Sequence, residues 1–515
     1  MNRLTTYWLP GLLLGAWLGL MSSATAQHQI QSLYLQTPDS ILPHLLRSAD
    51  FWKASIDSVD GGFYTEVNQD GTPERTDRKS FVQCSRHAYG FSRAFMVSGD
   101  ERYLDYANHA LDFVYAHAWD DVNLGWFFSS DKMGTPAAPY GNNWNPNNGK
   151  WSFHQHYDML GIGAMAEATR APNHLQWLTQ GTQVNDSLLW DSRPGFKGFY
   201  SDADADWSNR RDKGFTPTVD GITTWVLAKA LLSNEPEDID RLLALADNIV
   251  EHLYGSMLTP QVTFGFAEAY NANWVIKSNS NGGSVGHVIK TAWCLARAYM
   301  FDPKPIYREV AQYMIDDMMQ NGGYDYTNGG VYMGYNWQTG TVEQTKDYWM
   351  LEQGVTSGLI NYFLATDPDD RELNLGMADG CLDFFMTHFV DQQYGEIFSQ
   401  TSATGSVINN DKSDPFKGGY HNIELSYLTY VYGRLLVHEQ PVSLYYRFEA
   451  EPVQRSFKLT PLAIVDSLLS ISEVALDGVA YTDFDGESRQ LTIPANVGGI
   501  FKVTYNLDGT LSTTA

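Results

Sequence analysis

Asp60-Gly61-Gly62-Phe63-Tyr64 is the first of six short segments that set glycine against aromatic residues, and its recurrence decides the fold. The others are Leu124-Gly-Trp-Phe-Phe128, Lys197-Gly-Phe-Tyr200, Phe264-Gly-Phe266, Gly329-Gly-Val-Tyr332 and Tyr394-Gly-Glu-Ile-Phe398. Each has the composition of a tight hairpin entry, where glycine reaches backbone angles closed to other residues and the aromatics face one side. A segment repeated along a chain signals similar structural units, so the stretches between are read as one repeating element.

Those stretches carry apolar residues at three- and four-residue steps, the helical period. They fall into pairs: 81–97 with 103–115, 153–168 with 174–190, 222–232 with 239–253, 285–299 with 306–319, and 348–363 with 373–389. Residues 420–436 close the set, with 41–53 as the outer partner. The first helix of each pair is the more uniformly apolar and the richer in small residues, as in Met159-Leu-Gly-Ile-Gly-Ala-Met165. A helix apolar on most sides belongs inside. Six inner and six outer helices make a closed (α/α)6 toroid with its hairpin loops at one mouth; no polar capping repeat at either end asks for an open stack.

The pattern changes near Gln440-Pro441. Ser456-Phe-Lys-Leu-Thr460, Gln490-Leu-Thr-Ile493 and Ile500-Phe-Lys-Val-Thr-Tyr505 alternate apolar with polar, with a turn signal at Asp485-Gly486. The expectation is a mostly α protein: a toroid over residues 27–438, then a small β-rich module over 439–515. At the other end, Arg3 precedes an apolar run over residues 8–21, and Ala24-Thr25-Ala26 supplies small residues for a signal-peptidase site. Residues 1–26 therefore read as a secretory signal cut after Ala26, which puts the mature chain in the periplasm or outside the cell. No later segment is apolar enough to span a bilayer.

A net charge of −26 repels nucleic acid and anionic membrane surfaces, and excludes both as principal partners. Arg210, Arg211 and Lys213 form a small basic cluster that reads as a solvated loop. With 30 tyrosines and 15 tryptophans the chain is rich in flat amphipathic surfaces that stack on sugar rings, so a carbohydrate is the expected partner. Cys84, Cys294 and Cys381 are odd in number and lie in apolar helical stretches, so they read as buried free thiols. No cysteine or histidine pair has metal-ligand spacing, and no metal or cofactor is expected.

Four stretches give the toroid a family resemblance. Asp60-Gly-Gly-Phe-Tyr64 with Asp70-Gly71, the helix Gln83-Cys-Ser-Arg86-His-Ala-Tyr-Gly-Phe, Gly286-His287 opening a helix, and Lys417-Gly-Gly-Tyr420-His421-Asn422 occur in an order that resembles the N-acylglucosamine 2-epimerase family, which includes cellobiose 2-epimerases and mannose isomerases. The resemblance implies epimerisation or isomerisation at C2 of an opened aldose. There one base removes the proton α to a carbonyl and an acid returns one, a task suited to two imidazoles. It implies His287 and His421 as that pair, Arg86 as the fixed cation at the enediolate oxygen, and Trp349 and Tyr420 against the sugar. Departures from the family pattern fall at Lys290, where a glutamate is usual and which cannot accept a hydrogen bond from the ring, at Asp220 near the expected third histidine, and at Glu352-Gln353, where the acid is displaced by one position.

Two other readings stand beside this one. A secreted glycoside hydrolase or polysaccharide lyase can use the same scaffold. The hydrolase would draw paired carboxyls from Asp158, Asp220, Glu352 and Glu424; the lyase would set Lys290 beside His287 to neutralise a uronate. Asp158, in the acid–base-dense stretch His154-Gln-His156-Tyr157-Asp158, otherwise reads as a helix N-terminal charge. A non-catalytic glycan-binding protein is the third.

Overall fold

The computed structural model describes residues 28–137, 149–278, 280, 283–461 and 468–508; the leader expected over 1–26 lies outside them. The first long helix, α1 (Leu42–Phe51), is followed by α2 (Phe81–Ser98) with α3 (Arg102–His117), and α4 (Ser152–Thr169) with α5 (Pro172–Val184). The third pair is α6 with α7 (Pro236–Asn248); α6 opens with two wide turns, Thr216–Asp220 and Ile222–Val226, before its regular part Leu227–Ser233. Then come α8 (Val285–Phe301) with α9 (Pro305–Gln320), α10 (Tyr348–Leu364) with α11 (Pro368–His388), and α12 (His421–Tyr432). Prolines open α5, α7, α9 and α11 at positions where a missing N–H costs nothing.

Ring closure follows from who touches whom. Around the inside, α2 packs on α4, α4 on α6, the first wide turn of α6 on α8, α8 on α10, α10 on α12, and α12 back on α2. The six even-numbered helices form the inner ring and run in the same direction, so all their N-termini face one mouth. Two glycines set how closely that ring is drawn. A Cβ at Gly161 of α4 would lie 2.3 Å from the Ser85 carbonyl of α2, and one at Gly90 would lie 1.8 Å from the Gly419 carbonyl in the loop before α12. Only hydrogen fits at either place.

The glycine–aromatic segments close the outer-helix ends through short antiparallel bridges, among them Ile56 with Phe63, Trp119 with Trp126, Tyr324 with Val331 and Val390 with Ile397. The fourth segment departs from this: at Phe264-Gly265-Phe266 the join is made by the Ser256 hydroxyl, which accepts from Ala267 N–H at 2.9 Å. Five repeats also share a device absent from the sequence reading. A fully buried lysine shortly before the next inner helix reaches back to an aspartate after the preceding outer helix: Lys79 to Asp57, Lys150 to Asp120, Lys213 to Asp191, Lys346 to Asp325 and Lys412 to Asp391, at 2.7 to 2.9 Å. Lys213 is thus a correction. It is a buried clamp rather than part of a solvated loop, while Arg211 beside it does pair with Asp202 and Asp204 near the surface.

Beyond the ring, strands Val442–Phe448, Gly499–Leu507, Leu469–Leu476 and Val479–Tyr481 form, in that spatial order, an antiparallel sheet; Arg455–Lys458, Gln490–Ile493 and Phe484–Asp485 form a second. Cys84, Cys294 and Cys381 are buried and free. Among the described residues no helix is long and apolar enough to cross a membrane.

Candidate active site

Chemistry gathers at the N-terminal ends of the inner helices. His287 is in the first turn of α8, where its own N–H is capped by the Ser284 hydroxyl at 3.4 Å. Its ring stacks on Phe215 with centroids 3.8 Å apart, and its Nδ1 lies 2.9 Å from Glu268 Oε1. His421 opens α12, with Nδ1 3.2 Å from Glu352 Oε2. Between them stands the half-buried Trp349 at the start of α10, 5.4 Å from the His287 ring and 6.3 Å from the His421 ring, centroid to centroid. Two imidazoles from helices far apart in the chain therefore flank one indole, each held at Nδ1 by a glutamate. Such a contact fixes tautomer and ring direction and leaves Nε2 as the working nitrogen.

The two differ in setting. The His287 side chain keeps about a quarter of its surface exposed, whereas His421 is nearly enclosed. Burial, and after it the cations of Arg86 and Lys290, holds the His421 imidazole well below the usual histidine range, so it is neutral at neutral pH. Glu352 is fully buried and accepts from the Thr356 hydroxyl at 2.7 Å and from the Gln353 amide. Burial first, then the neighbouring Glu424, pushes its carboxyl well above the ordinary range; Glu424 is raised by burial too, against the opposing hydrogen bond from Tyr89. Glu352, His421 and Glu424 offer three possible metal-ligand atoms within 4.8 Å of one another, although each already has a protein partner.

Arg86 is buried, with its guanidinium 4.3 Å from the Tyr157 ring and 5.5 Å from that of Tyr420. It donates to the Phe416 carbonyl, while its Nε has no partner among the described residues. A buried guanidinium so placed is a fixed positive charge for an oxyanion. Lys290 turns away from His287. Its Nζ lies 2.6 Å from Asp220 Oδ1 and 3.2 Å from the Tyr157 hydroxyl. Burial, which disfavours the cation, is outweighed by these two partners, and the ammonium is held above the ordinary lysine range. The departures at Lys290 and Asp220 are thus one feature, a buried ion pair.

Two expectations need correction. Asp158 is fully buried, its carboxyl oxygens have no hydrogen-bond partner among the described residues, and its charge is felt by the buried Cys84 of α2. Burial holds its carboxyl well above the usual range, so it is neither a helix-end charge nor placed to meet a sugar. Tyr420 is also enclosed, at 1% exposure; it packs 4.2 Å from the His421 ring and edge-on to Tyr89, supporting the imidazole from behind. The sequence reading missed Glu268, which lies in an irregular loop with no periodicity to mark it. It also missed Tyr89, which reads as one more apolar position of α2.

Closed toroid, paired imidazoles and buried guanidinium are parts that a carbohydrate epimerase or isomerase would use, and the family match places the chain in that class. The chain belongs to the N-acylglucosamine 2-epimerase (GlcNAc 2-epimerase) family, which it matches over residues 62–424. It is 23% identical over 398 residues to a cellobiose 2-epimerase of Bacteroides fragilis, across 73% of this chain and 94% of that one. It is 19% identical over 401 residues to a D-mannose isomerase of Marinomonas mediterranea, across 75% of this chain and 94% of that one. The solved cellobiose 2-epimerase of Spirochaeta thermophila superimposes with a TM-score of 0.66 at 21% identity, over 78% of this chain and 97% of that one.

Proposed function

We propose that the protein interconverts C2 epimers, or an aldose and its 2-ketose, by proton transfer between His421 and His287 across an enediolate. The observation that carries this is the matched pair of Nδ1-anchored imidazoles on either side of Trp349. His421, kept neutral by burial, removes the hydrogen at C2 of the open-chain sugar. Charge then moves onto the carbonyl oxygen, where Arg86 offsets it. His287, paired with Glu268, delivers a proton to the opposite face of C2 to give the epimer, and the reverse reaction exchanges the roles; return of the proton to C1 instead, with the O2 proton passing to O1, gives the 2-ketose. Trp349 supplies the flat surface between the two bases against which the opened sugar lies.

The hydrolase reading fares less well, because Asp220 is committed to Lys290 and Asp158 is sealed in the packing. The test is to incubate the full chain with reducing mono- and disaccharides and follow C2 by NMR. A C2 epimer or 2-ketose supports the proposal. Shortened polymer, an unsaturated uronate, or binding without turnover in its place overturns it in favour of hydrolase, lyase or binding protein respectively.

We further propose that the chain is exported and meets its sugar outside the cytoplasm, on the strength of the leader-like residues 1–26. Mature protein beginning at Gln27 in the periplasm or medium is the expected result; a cytoplasmic chain retaining Met1 contradicts it.

A further inference from the structure

The C-terminal strands lie beyond residue 424, where the family match ends. They cover the barrel end opposite the mouth. Strand Val442–Phe448 packs on α2 and α4. Tyr445 fills the space beside Gly99 at the end of α2, Arg447 pairs with Glu101 at 2.6 Å, and Arg170, just past α4, donates to the Lys458 carbonyl at 3.1 Å. Facing inward from this sheet, Tyr446 and Tyr505 are buried with their hydroxyls 2.7 Å apart.

Between this floor and His421 runs a buried polar column. Arg93 of α2, with no exposed surface, bonds Glu167 of α4 at 2.6 Å. Its guanidinium lies 4.7 Å from the Tyr89 ring and 5.0 Å from that of Tyr427. One turn nearer the mouth, the Tyr89 hydroxyl donates to Glu424 Oε1 at 2.7 Å, and Glu424 adjoins Glu352, the partner of His421. Each level down α2 (Arg86, Tyr89, Arg93) thus meets a level down α12 (His421, Glu424, Tyr427), and the strand module lies beneath the last.

Resting on the reading of His421 given above, we infer that the C-terminal module is a working part of the site: it seals the base beneath Arg93 and Glu167, and Tyr89 and Arg93 act as positioning residues that hold Glu424, Glu352 and His421. A buried network of this kind is strongest at its paired links, Arg93 with Glu167 and Tyr89 with Glu424, while Arg93 Nε and Nη2 and the Tyr427 hydroxyl have no hydrogen-bond partner among the described residues. Glu167 is felt at the module in return, since burial first and its charge in addition raise the phenols of Tyr446 and Tyr505. The Tyr89 bond favours the Glu424 carboxylate against the upward push of burial.

The test uses the full chain, with Tyr89→Phe, the pair Tyr446→Phe and Tyr505→Phe, and all three together. Tyr89→Phe is expected to leave KM unchanged and to lower kcat about tenfold, the loss of one hydrogen bond to a charged group. It should also move the carboxyl-governed limb of the pH profile upward, because Glu424 loses a donor to its anion. The module pair is expected to lower kcat as well, and the triple variant to lose less than the product of the two effects. Multiplicative effects, or a fall in melting temperature with an unmoved pH profile, overturn the inference. C2 exchange by the unaltered protein is measured first, so failure of the proposed function is seen separately. In that event the NMR chemical shifts of the His421 ring in the same variants at neutral pH decide: displaced shifts in both the Tyr89→Phe and the module variants support the column, unmoved ones overturn it.

Discussion

His421 Nδ1 and a carboxyl oxygen of Glu352 stand 3.2 Å apart, although 69 positions separate them in the chain, and neither group is open to bulk water. The glutamate fixes which ring nitrogen faces the cleft. Glu352→Gln keeps the shape and removes the acid, so kcat should fall by about 10²-fold, the scale of a positioned acid–base group, with KM little changed. Steady-state kinetics checks this; an unaltered kcat would separate the pair from catalysis.

Lys290 and Asp220 form a buried pair at 2.6 Å, and each neutralises a charge that the other would leave stranded. Lys290→Met should cost about 3–5 kcal/mol, measured by chemical denaturation, because the Asp220 carboxylate stays behind unpaired. Adding Asp220→Leu should return most of that loss. A fully additive double variant would contradict the coupling.

Gly90→Ala places a methyl group where the Gly419 carbonyl already sits, 1.8 Å from the new Cβ. The loop that sets Tyr420 and His421 must move outward. The expected result is about 1–3 kcal/mol of lost stability, typical of overpacking, together with a loss of activity larger than that instability explains. Unchanged turnover would show that the loop tolerates the shift.

The five lysine–aspartate clamps predict how the protein responds to acid. Burial alone would raise these carboxyls, yet hydrogen bonds from the paired lysines and from turn groups more than reverse it. Asp57 and Asp325 are held at about 2, and Asp120, Asp191 and Asp391 are lowered as well. An aspartate near 4 when unfolded and lower when folded contributes stability that is complete above that pH and lost as pH falls through the folded value. Melting temperature should therefore fall steeply from about pH 4 toward pH 2, and Asp325→Asn should flatten that fall. A chain equally stable across the interval would contradict it.

Much of this arrangement is legible in sequence because helical periodicity and the glycine–aromatic segments are local signals. They mark the inner helices, and Gly286-His287 and Tyr420-His421 stand out at helix starts. What is hidden depends on contacts across the ring. The start of α6 at Thr216, six residues before the apolar run at Ile222, follows from wide turns over Thr216–Asp220 and Ile222–Val226, where β-branched residues blur the period. Glu268 meets His287 from a loop, which no spacing announces. The clamps left a trace in the lysines two residues before Phe81, Ser152 and Tyr348, and in an aspartate 21 or 22 positions before the lysine in four of the five, but a spacing that long crosses two elements and lies outside the helical period. Asp158 misleads because a polar residue on an inner helix invites a functional reading, whereas its burial is set by how α2 and α4 meet around Gly161.

The central claim, that His287 and His421 exchange a proton with one sugar carbon, is met most directly by turnover in deuterium oxide. The account predicts that deuterium from solvent appears at C2 of a recovered epimer, or at C1 of a recovered 2-ketose, and that His287→Asn and His421→Asn each abolish net conversion while the fold is retained. An epimer formed with no solvent deuterium at C2, a 2-ketose formed with none at C1, or full turnover by either asparagine variant, would contradict it.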